Sequence, residues 1–145
     1  MDVFLANEQE LAVDEQRLAA LARHVLSAEK VDGSAELSVL FVTTDHIRQL
    51  NARFANEDHP TDVLAFPMME EEDGALLLGD VVVCPTIAEQ NAARLGHDLS
   101  TELAALVVHG TLHLLGYDHQ GVEDKAKMDR RSTEVLQTFE ATAPA

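Results

Sequence analysis

The sequence predicts an α+β fold. Apolar residues recur at helical spacing in several stretches, one of which carries Leu18, Leu21, Ala22, Val25 and Leu26. Other stretches are short, rich in β-branched residues and bounded by turn residues, which is typical of strands. The chain has 145 residues, of which 46% are hydrophobic, enough to bury one core without disulfide staples. We therefore expect a single domain over residues 1–145.

Capping and turn residues set the bounds of the predicted elements. The strands are predicted at residues 3–6, 36–43, 61–67 and 76–84. The helices are predicted at residues 14–28, 44–55, 86–95, 98–115 and 122–140. Thr44 is the expected cap of the second helix, and Asp98 or Ser100 that of the fourth. Gly96 and Gly116 are expected to end the third and fourth helices.

The connection between the third and fourth predicted strands is expected to consist of a strand end and a turn. Pro67 should end the third strand. Residues 70–73 (EEED), followed by Gly74, are predicted to form a solvated turn between the two strands.

Composition restricts compartment and partners. Cys84 is the only cysteine, which excludes a disulfide within the chain and fits a cytoplasmic protein. The first ten residues lack the pattern of a signal peptide, and the longest apolar run, residues 103–108, is too short to span a membrane. The net charge is −16, and only Arg94 is permanently positive between Phe54 and Asp124. Composition alone therefore argues against RNA or DNA as a partner, because phosphate contacts draw on Lys and Arg.

Three histidines have the spacing of metal ligands. His109 and His113 are four residues apart on the fourth predicted helix, which places them on one face with Cβ atoms about 5–6 Å apart. Gly116 then permits a sharp turn that can return His119 to the same helix end. The pattern H-x3-H-x5-H predicts one Zn²⁺ per chain, although three imidazoles also suit other first-row metals.

The number of protein ligands at this site distinguishes a catalytic metal from a structural one. Three protein ligands leave the fourth position open, which is typical of catalytic zinc. If Cys84 closed the site, the zinc would be structural. In the H-E-x-x-H pattern a Glu beside the first His acts as general base, but here that position is Gly110, so the catalytic residues stay unknown. Asp118 could orient a ligand or be a turn residue.

Three segments closely resemble the YbeY family of rRNA maturation factors, described as single-strand-specific endoribonucleases. Residues 109–119 (HGTLHLLGYDH) resemble the family signature and contain all three histidines. Residues 60–67 (PTDVLAFP) resemble its P-T-D-V-L-S-F-P, and residues 78–85 (LGDVVVCP) its L-G-D-I-x-I-x. Order, spacing and length agree across essentially the whole chain.

The resemblance implies a zincin-like α+β domain, a small mixed sheet packed by helices with the metal-binding helix in the middle. It also implies zinc on His109, His113 and His119, maturation of the 3′ end of small-subunit rRNA, and a part in ribosome quality control. Asp62 could shape the cleft or belong to an ordinary turn, and Gly79 with Asp80 could form a bulge or a simple kink.

The sequence departs from the family pattern at one position that bears on RNA. Many members read L-N-x-x-Y-R before P-T-D, with an Arg thought to engage RNA, whereas this chain has Phe54 and Ala55 at the last two positions. Arg53 is predicted to point elsewhere if the segment is helical.

Three functions remain as hypotheses. The first is a zinc-dependent endoribonuclease that acts on rRNA. The second is a metal-dependent hydrolase of another substrate, such as a peptide or ester, which Gly110 in place of Glu disfavours. The third is a ribosome-assembly factor with a structural zinc, whose acidic surface binds basic ribosomal proteins.

Overall fold

Strands and helices are interleaved along the chain, which the computed structural model describes for residues 1–118 and 120–142. The strands in these ranges are β1 (Asp2–Asn7), β2 (Ala35–Phe41), β3 (Val63–Glu72) and β4 (Ala75–Val83). The helices are α1 (Glu15–Ala28), α2 (Thr44–Ala55), α3 (Pro85–Leu95), α4 (Leu99–Leu114) and α5 (Val122–Thr142). None of these helices is both long and apolar enough to cross a membrane. The predicted α+β class is confirmed.

The strands form one mixed sheet in the order β1-β2-β4-β3. β1 pairs with β2, and β2 with β4, in parallel, so each connection must cross over by way of other elements. β3 and β4 form an antiparallel hairpin with its turn at Asp73 and Gly74, both of which have a positive φ. β3 is therefore an edge strand of the sheet.

Helices cover both faces of the sheet. Successive side chains of a strand point to opposite faces. Leu37, Val39 and Phe41 of β2 join the larger core cluster with buried residues of α1, α4 and α5. On the other face, beneath α2, a smaller cluster contains four buried residues, Val42, Ile47, Val82 and Cys84. Helix α4 packs against β3, β4, α1, α3 and α5, which makes it the central helix of the larger cluster.

The cap of α2 differs by one residue from the prediction. Thr43, rather than Thr44, has the extended backbone of a cap, and its hydroxyl accepts a hydrogen bond from the backbone N–H of His46 at 3.2 Å. The prediction of Thr44 is wrong because β2 ends at Phe41, which frees the earlier threonine for capping.

Strand β3 is longer than the sequence predicted. The prediction that Pro67 ends this strand is wrong, because β3 continues to Glu72 and includes most of the acidic run. The solvated turn is correspondingly limited to Asp73 and Gly74. Pro67 is tolerated because β3 is an edge strand, and proline within sheets is confined to such edges, strand starts and bulges.

A bulge separates the two halves of the β3–β4 hairpin. Pro67 pairs with Gly79, but the next paired residues are Glu70 and Leu77. Gly79 has a φ of 138°, and a Cβ there would lie 2.2 Å from the carbonyl oxygen of Phe66. Only glycine fits this approach of one strand to the other. The sequence allowed either a bulge or a simple kink at Gly79 and Asp80, and the structure contains a bulge in the paired strand.

Candidate metal centre

Helix α4 carries the candidate centre, and its bounds agree with the sequence. The Asp98 carboxylate accepts a hydrogen bond from the backbone N–H of Thr101 at 2.8 Å, which confirms Asp98 rather than Ser100 as the cap. Gly116 follows the helix with a φ of 104°, as predicted for a helix end. Nine residues of α4 are buried, so the helix is held firmly in the core.

His109 and His113 line the same cleft, which has a volume of about 310 Å³. Both side chains are partly buried on one face of α4. At this spacing two imidazoles can each direct a ring nitrogen toward one ion. Neutral imidazole is a ligand that Zn²⁺ prefers, so the residues present fit zinc.

The other walls of the cleft come from the end of α2, the start of β3 and the loop between them. The lining residues outside α4 are Asn51, Ala55, Glu57, Thr61, Val63, Leu64 and Ala65. Apolar strand residues thus face the histidines together with an amide, a carboxylate and a hydroxyl. Such a mixture is typical of a cleft that excludes part of the bulk water while keeping polar groups for orientation.

Gly110 allows α4 to approach the sheet closely. A Cβ at this position would lie 2.6 Å from Cγ1 of Val81 and 3.3 Å from Cγ2 of Val63. The side chain of a Glu here would therefore run into the strands. The absence of the H-E-x-x-H base follows from this packing, and any general base must come from another element.

The segment after α4 is attached to α1 and α5. The hydroxyl of Tyr117 donates to Oε2 of Glu29 at 3.1 Å. Nε of Arg131 donates to Oε1 of the same carboxylate, and its Nη2 donates to the carbonyl of Ala28. Burial raises the pKa of the Tyr117 hydroxyl, and its hydrogen bond with Glu29 acts in the same direction. The chain is thus fixed to two helices shortly before position 119.

The third predicted ligand, His119, lies outside the residues that the structure describes. Beside it, Oδ1 of Asp118 accepts a hydrogen bond from the backbone N–H of Gln120 at 3.2 Å, which is typical of a turn aspartate. Within residues 1–118 and 120–142, no group of three His, Cys, Asp or Glu side chains could hold a metal ion. Zinc on all three histidines, and a ligand-orienting role for Asp118, stay predictions.

Asp62 lies beside the cleft and joins two elements. Its Oδ2 accepts a hydrogen bond from the amide of Asn91 on α3 at 3.1 Å, and its backbone carbonyl accepts one from the N–H of Cys84 at 2.9 Å. Its neighbours Thr61 and Val63 line the cleft. The carboxylate of Asp62 therefore fixes the start of β3, and with it one wall of the cleft.

Cys84 is separated from the histidines by its place in the fold. Its side chain is fully buried in the cluster beneath α2, with Sγ 3.7 Å from Oγ1 of Thr44. Helix α4, which carries His109 and His113, packs with the cluster on the other face. This placement argues against Cys84 as a fourth ligand.

A family model described as Endoribonuclease YbeY matches residues 4–140. The chain belongs to the YbeY family. The family shown by the comparison is the one that the histidine segment and the two strand segments resemble. By its name it is a family of endoribonucleases, which are hydrolases that cut RNA within the strand.

Two curated relatives carry the YbeY name over nearly their whole length. One from a Parafrankia species is 46% identical, with 99% of this chain and 97% of the relative covered. One from Thermobifida fusca is 45% identical, with coverage of 94% and 92%. The solution structure of TM1509 from Thermotoga maritima is 32% identical, with a TM-score of 0.62 and coverage of 96% and 92%. The architecture described above is therefore shared with a solved structure.

Sequence reasoning missed two polar residues of the YbeY cleft. Asn51 is buried, and its side chain donates to the carbonyl of His59 at 2.9 Å, while its own carbonyl accepts from the N–H of Glu57 at 3.2 Å. These bonds shape the loop that places Glu57 at the cleft. The available signal was Asn51 itself, a polar residue four positions after Ile47 on the apolar face of α2.

Proposed function

We propose that this YbeY-family chain is a zinc-dependent endoribonuclease that cuts single-stranded rRNA. Its cleavage matures the 3′ end of small-subunit rRNA and takes part in ribosome quality control. The observation that carries the proposal is that His109 and His113 line one cleft from the same helix. The name of the family, which refers to RNA cleavage, supports it. His119 would complete the ligand set.

The metal and the protein have separate tasks in this proposal. When bound, zinc supplies a Lewis acid that stabilises negative charge on phosphate oxygens. His109 and His113 hold it at the cleft, and the buried surface of α4 keeps them in place. The wall formed by Val63, Leu64 and Ala65 excludes part of the bulk water on the opposite side.

Glu57 is the proton acceptor that the cleft supplies. Among the described residues that line the cleft, it is the only carboxylate. Whether water or the ribose 2′-OH attacks phosphorus, the attacking hydroxyl must lose a proton as the P–O bond to the leaving oxygen breaks. Glu57 takes that proton. In the Glu57→Gln variant kcat for cleavage should fall about a hundredfold or more while zinc content stays unchanged, and the neighbouring control Asp58→Asn should match wild type. A kcat of Glu57→Gln equal to that of wild type would exclude this role.

The main test pairs cleavage with metal content. Wild type and His113→Ala are loaded with zinc, and each is given a single-stranded fragment of the small-subunit rRNA 3′ end. Zinc near one per chain in wild type, and cleavage by wild type only, is the expected result. Bound zinc with equal cleavage by both proteins, or with none by either, would refute the nuclease proposal.

An acidic surface supports a second candidate, a ribosome-assembly factor. The chain has a net charge of −16, and residues 68–72 (MMEEE) of the β3–β4 hairpin are exposed. A surface of this kind complements basic ribosomal proteins better than naked RNA. Under this hypothesis a folded His113→Ala protein restores rRNA processing in cells that lack the wild-type protein, whereas the nuclease proposal requires that it fail.

A further inference from the structure

Phe54 is an exposed aromatic residue that directly precedes a lining residue of the cleft. Its side chain is 61% exposed in the last turn of α2, beside Ala55, which lines the cleft. Its ring meets that of Phe66 edge-on, with centroids 5.3 Å apart and an interplanar angle of 68°. Phe66 follows Ala65, another lining residue, and its own side chain packs with the cluster beneath α2. One contact therefore holds the Phe54 ring in place and leaves much of the ring exposed to solvent.

Arg53 adds a positive charge to this ring. Its guanidinium carbon lies 5.5 Å from the centroid of Phe54, within the range of a cation–π contact. Within the described part of the chain Arg53 forms no ion pair, whereas Arg48 on the same helix is held by Asp45 and Asp58 at 2.9 and 2.7 Å. Arg53 thus keeps its charge available despite the acidic composition of the chain. It does not line the cleft itself, in agreement with the expectation that it points elsewhere.

We propose that Phe54 and Arg53 form a stacking platform for one unpaired base of the RNA strand whose phosphodiester enters the cleft. The proposal rests on the proposed function, since it names how that site holds its RNA. An exposed aromatic face beside an arginine is the combination on which proteins stack single-stranded bases. The ring binds the base, and the guanidinium of Arg53 contacts an adjacent phosphate. A base within a duplex cannot reach such a platform, so it also favours single-stranded substrates.

The first experiment tests stacking with a matched pair of variants. Phe54→Leu removes the ring of the proposed platform, and Phe4→Leu removes a ring of similar exposure, 54%, on β1 at the sheet edge opposite β3. Cleavage of a single-stranded RNA oligonucleotide is measured with the zinc-loaded proteins. Loss of one stacked base should raise KM about tenfold in Phe54→Leu with kcat nearly unchanged. Phe4→Leu should match wild type.

Abasic oligonucleotides identify the contact. One nucleotide at a time is replaced by an abasic one along the substrate. For wild type, a single position should weaken binding as much as Phe54→Leu does. Combining that abasic substrate with Phe54→Leu should cause no further loss, because the two changes remove the same contact. Additive losses at every position would overturn the platform.

Salt dependence tests Arg53. Arg53→Gln should reduce the slope of log KM against log salt concentration by about 0.7, the value for one phosphate contact on a single strand. Arg23→Gln removes an exposed charge from α1 and should leave the slope unchanged. A wild type that cleaves RNA, with Phe54→Leu and Arg53→Gln indistinguishable from it, overturns this inference alone and points to a protein partner for Phe54. A wild type that neither binds nor cleaves RNA overturns the proposed function as well.

Discussion

The close approach of α4 to the sheet predicts an unusual response to Gly110→Ala. The new Cβ would lie 2.6 Å from Cγ1 of Val81, a fully buried side chain. Overpacking of a core costs about 1–3 kcal/mol of the free energy of unfolding. Ala in place of Gly in a helix interior contributes about 0.8–1 kcal/mol in the opposite direction. The variant should therefore be less stable by about 1 kcal/mol, although helix propensity alone predicts a gain.

A second substitution isolates the steric cause. Val81→Ala removes the methyl group that the new Cβ would meet, and by itself should cost on the order of 2 kcal/mol through lost burial. In that background Gly110→Ala should become neutral or stabilising, because the space it needs is now available. The coupling free energy between the two substitutions should be about 1–2 kcal/mol.

Equilibrium unfolding in urea, followed by far-UV circular dichroism, measures all four proteins. The slope against urea concentration must stay constant for the comparison to report stability. The reasoning is refuted if Gly110→Ala raises the stability of the wild type by the helix-propensity amount. It is refuted equally if the two substitutions add to within about 0.5 kcal/mol.

Three further predictions concern the segments that flank the candidate centre. Tyr117→Phe removes a donor to Glu29 and should lower the free energy of unfolding by about 1 kcal/mol in urea titrations; equal stability would show that water replaces the hydroxyl. Hydrogen bonds from Thr101 lower the pKa of Asp98 in the folded state. The charged carboxylate therefore stabilises the fold at pH values above the unfolded pKa of 3.8, and this stabilisation is lost as the pH falls through the folded pKa. The stability difference between wild type and Asp98→Asn should accordingly vanish in acid, and a constant difference would contradict the cause. Burial raises the pKa of Asp80, so its contribution to stability should decline as the pH rises through that raised pKa; Asp80→Asn should lack this decline in thermal unfolding from about pH 3 to 7.

The helix of the candidate centre was largely predictable because its signals are local. A cap at Asp98, a glycine after the helix and two histidines four residues apart all depend on spacing along a single element. The family could be recognised for the same reason, since its signature is one short segment. The third ligand, His119, lies outside the described residues and stays a prediction.

The walls of the cleft could not be predicted, because they depend on which elements meet. Glu57 and Asn51 line the same cleft as the histidines because α4 packs against β3, the strand that follows α2 and its loop. The length of β3 was underestimated for a related reason. Proline was assumed to end any strand, but an edge position cannot be recognised until the order of the sheet is known.

The open edge of the sheet gives the acidic run a purpose beyond solvation. β3 has no neighbour on its outer side within the described chain, and such an edge can pair with the same edge of a second molecule. Pro67 removes one N–H from this edge, the bulge between Pro67 and Glu70 distorts it, and residues 70–72 line its far half with negative charge. Two copies that approached edge to edge would bring these carboxylates together. The acidic run of β3 thus disfavours edge-to-edge aggregation of the chain, although negative charge does not favour RNA binding.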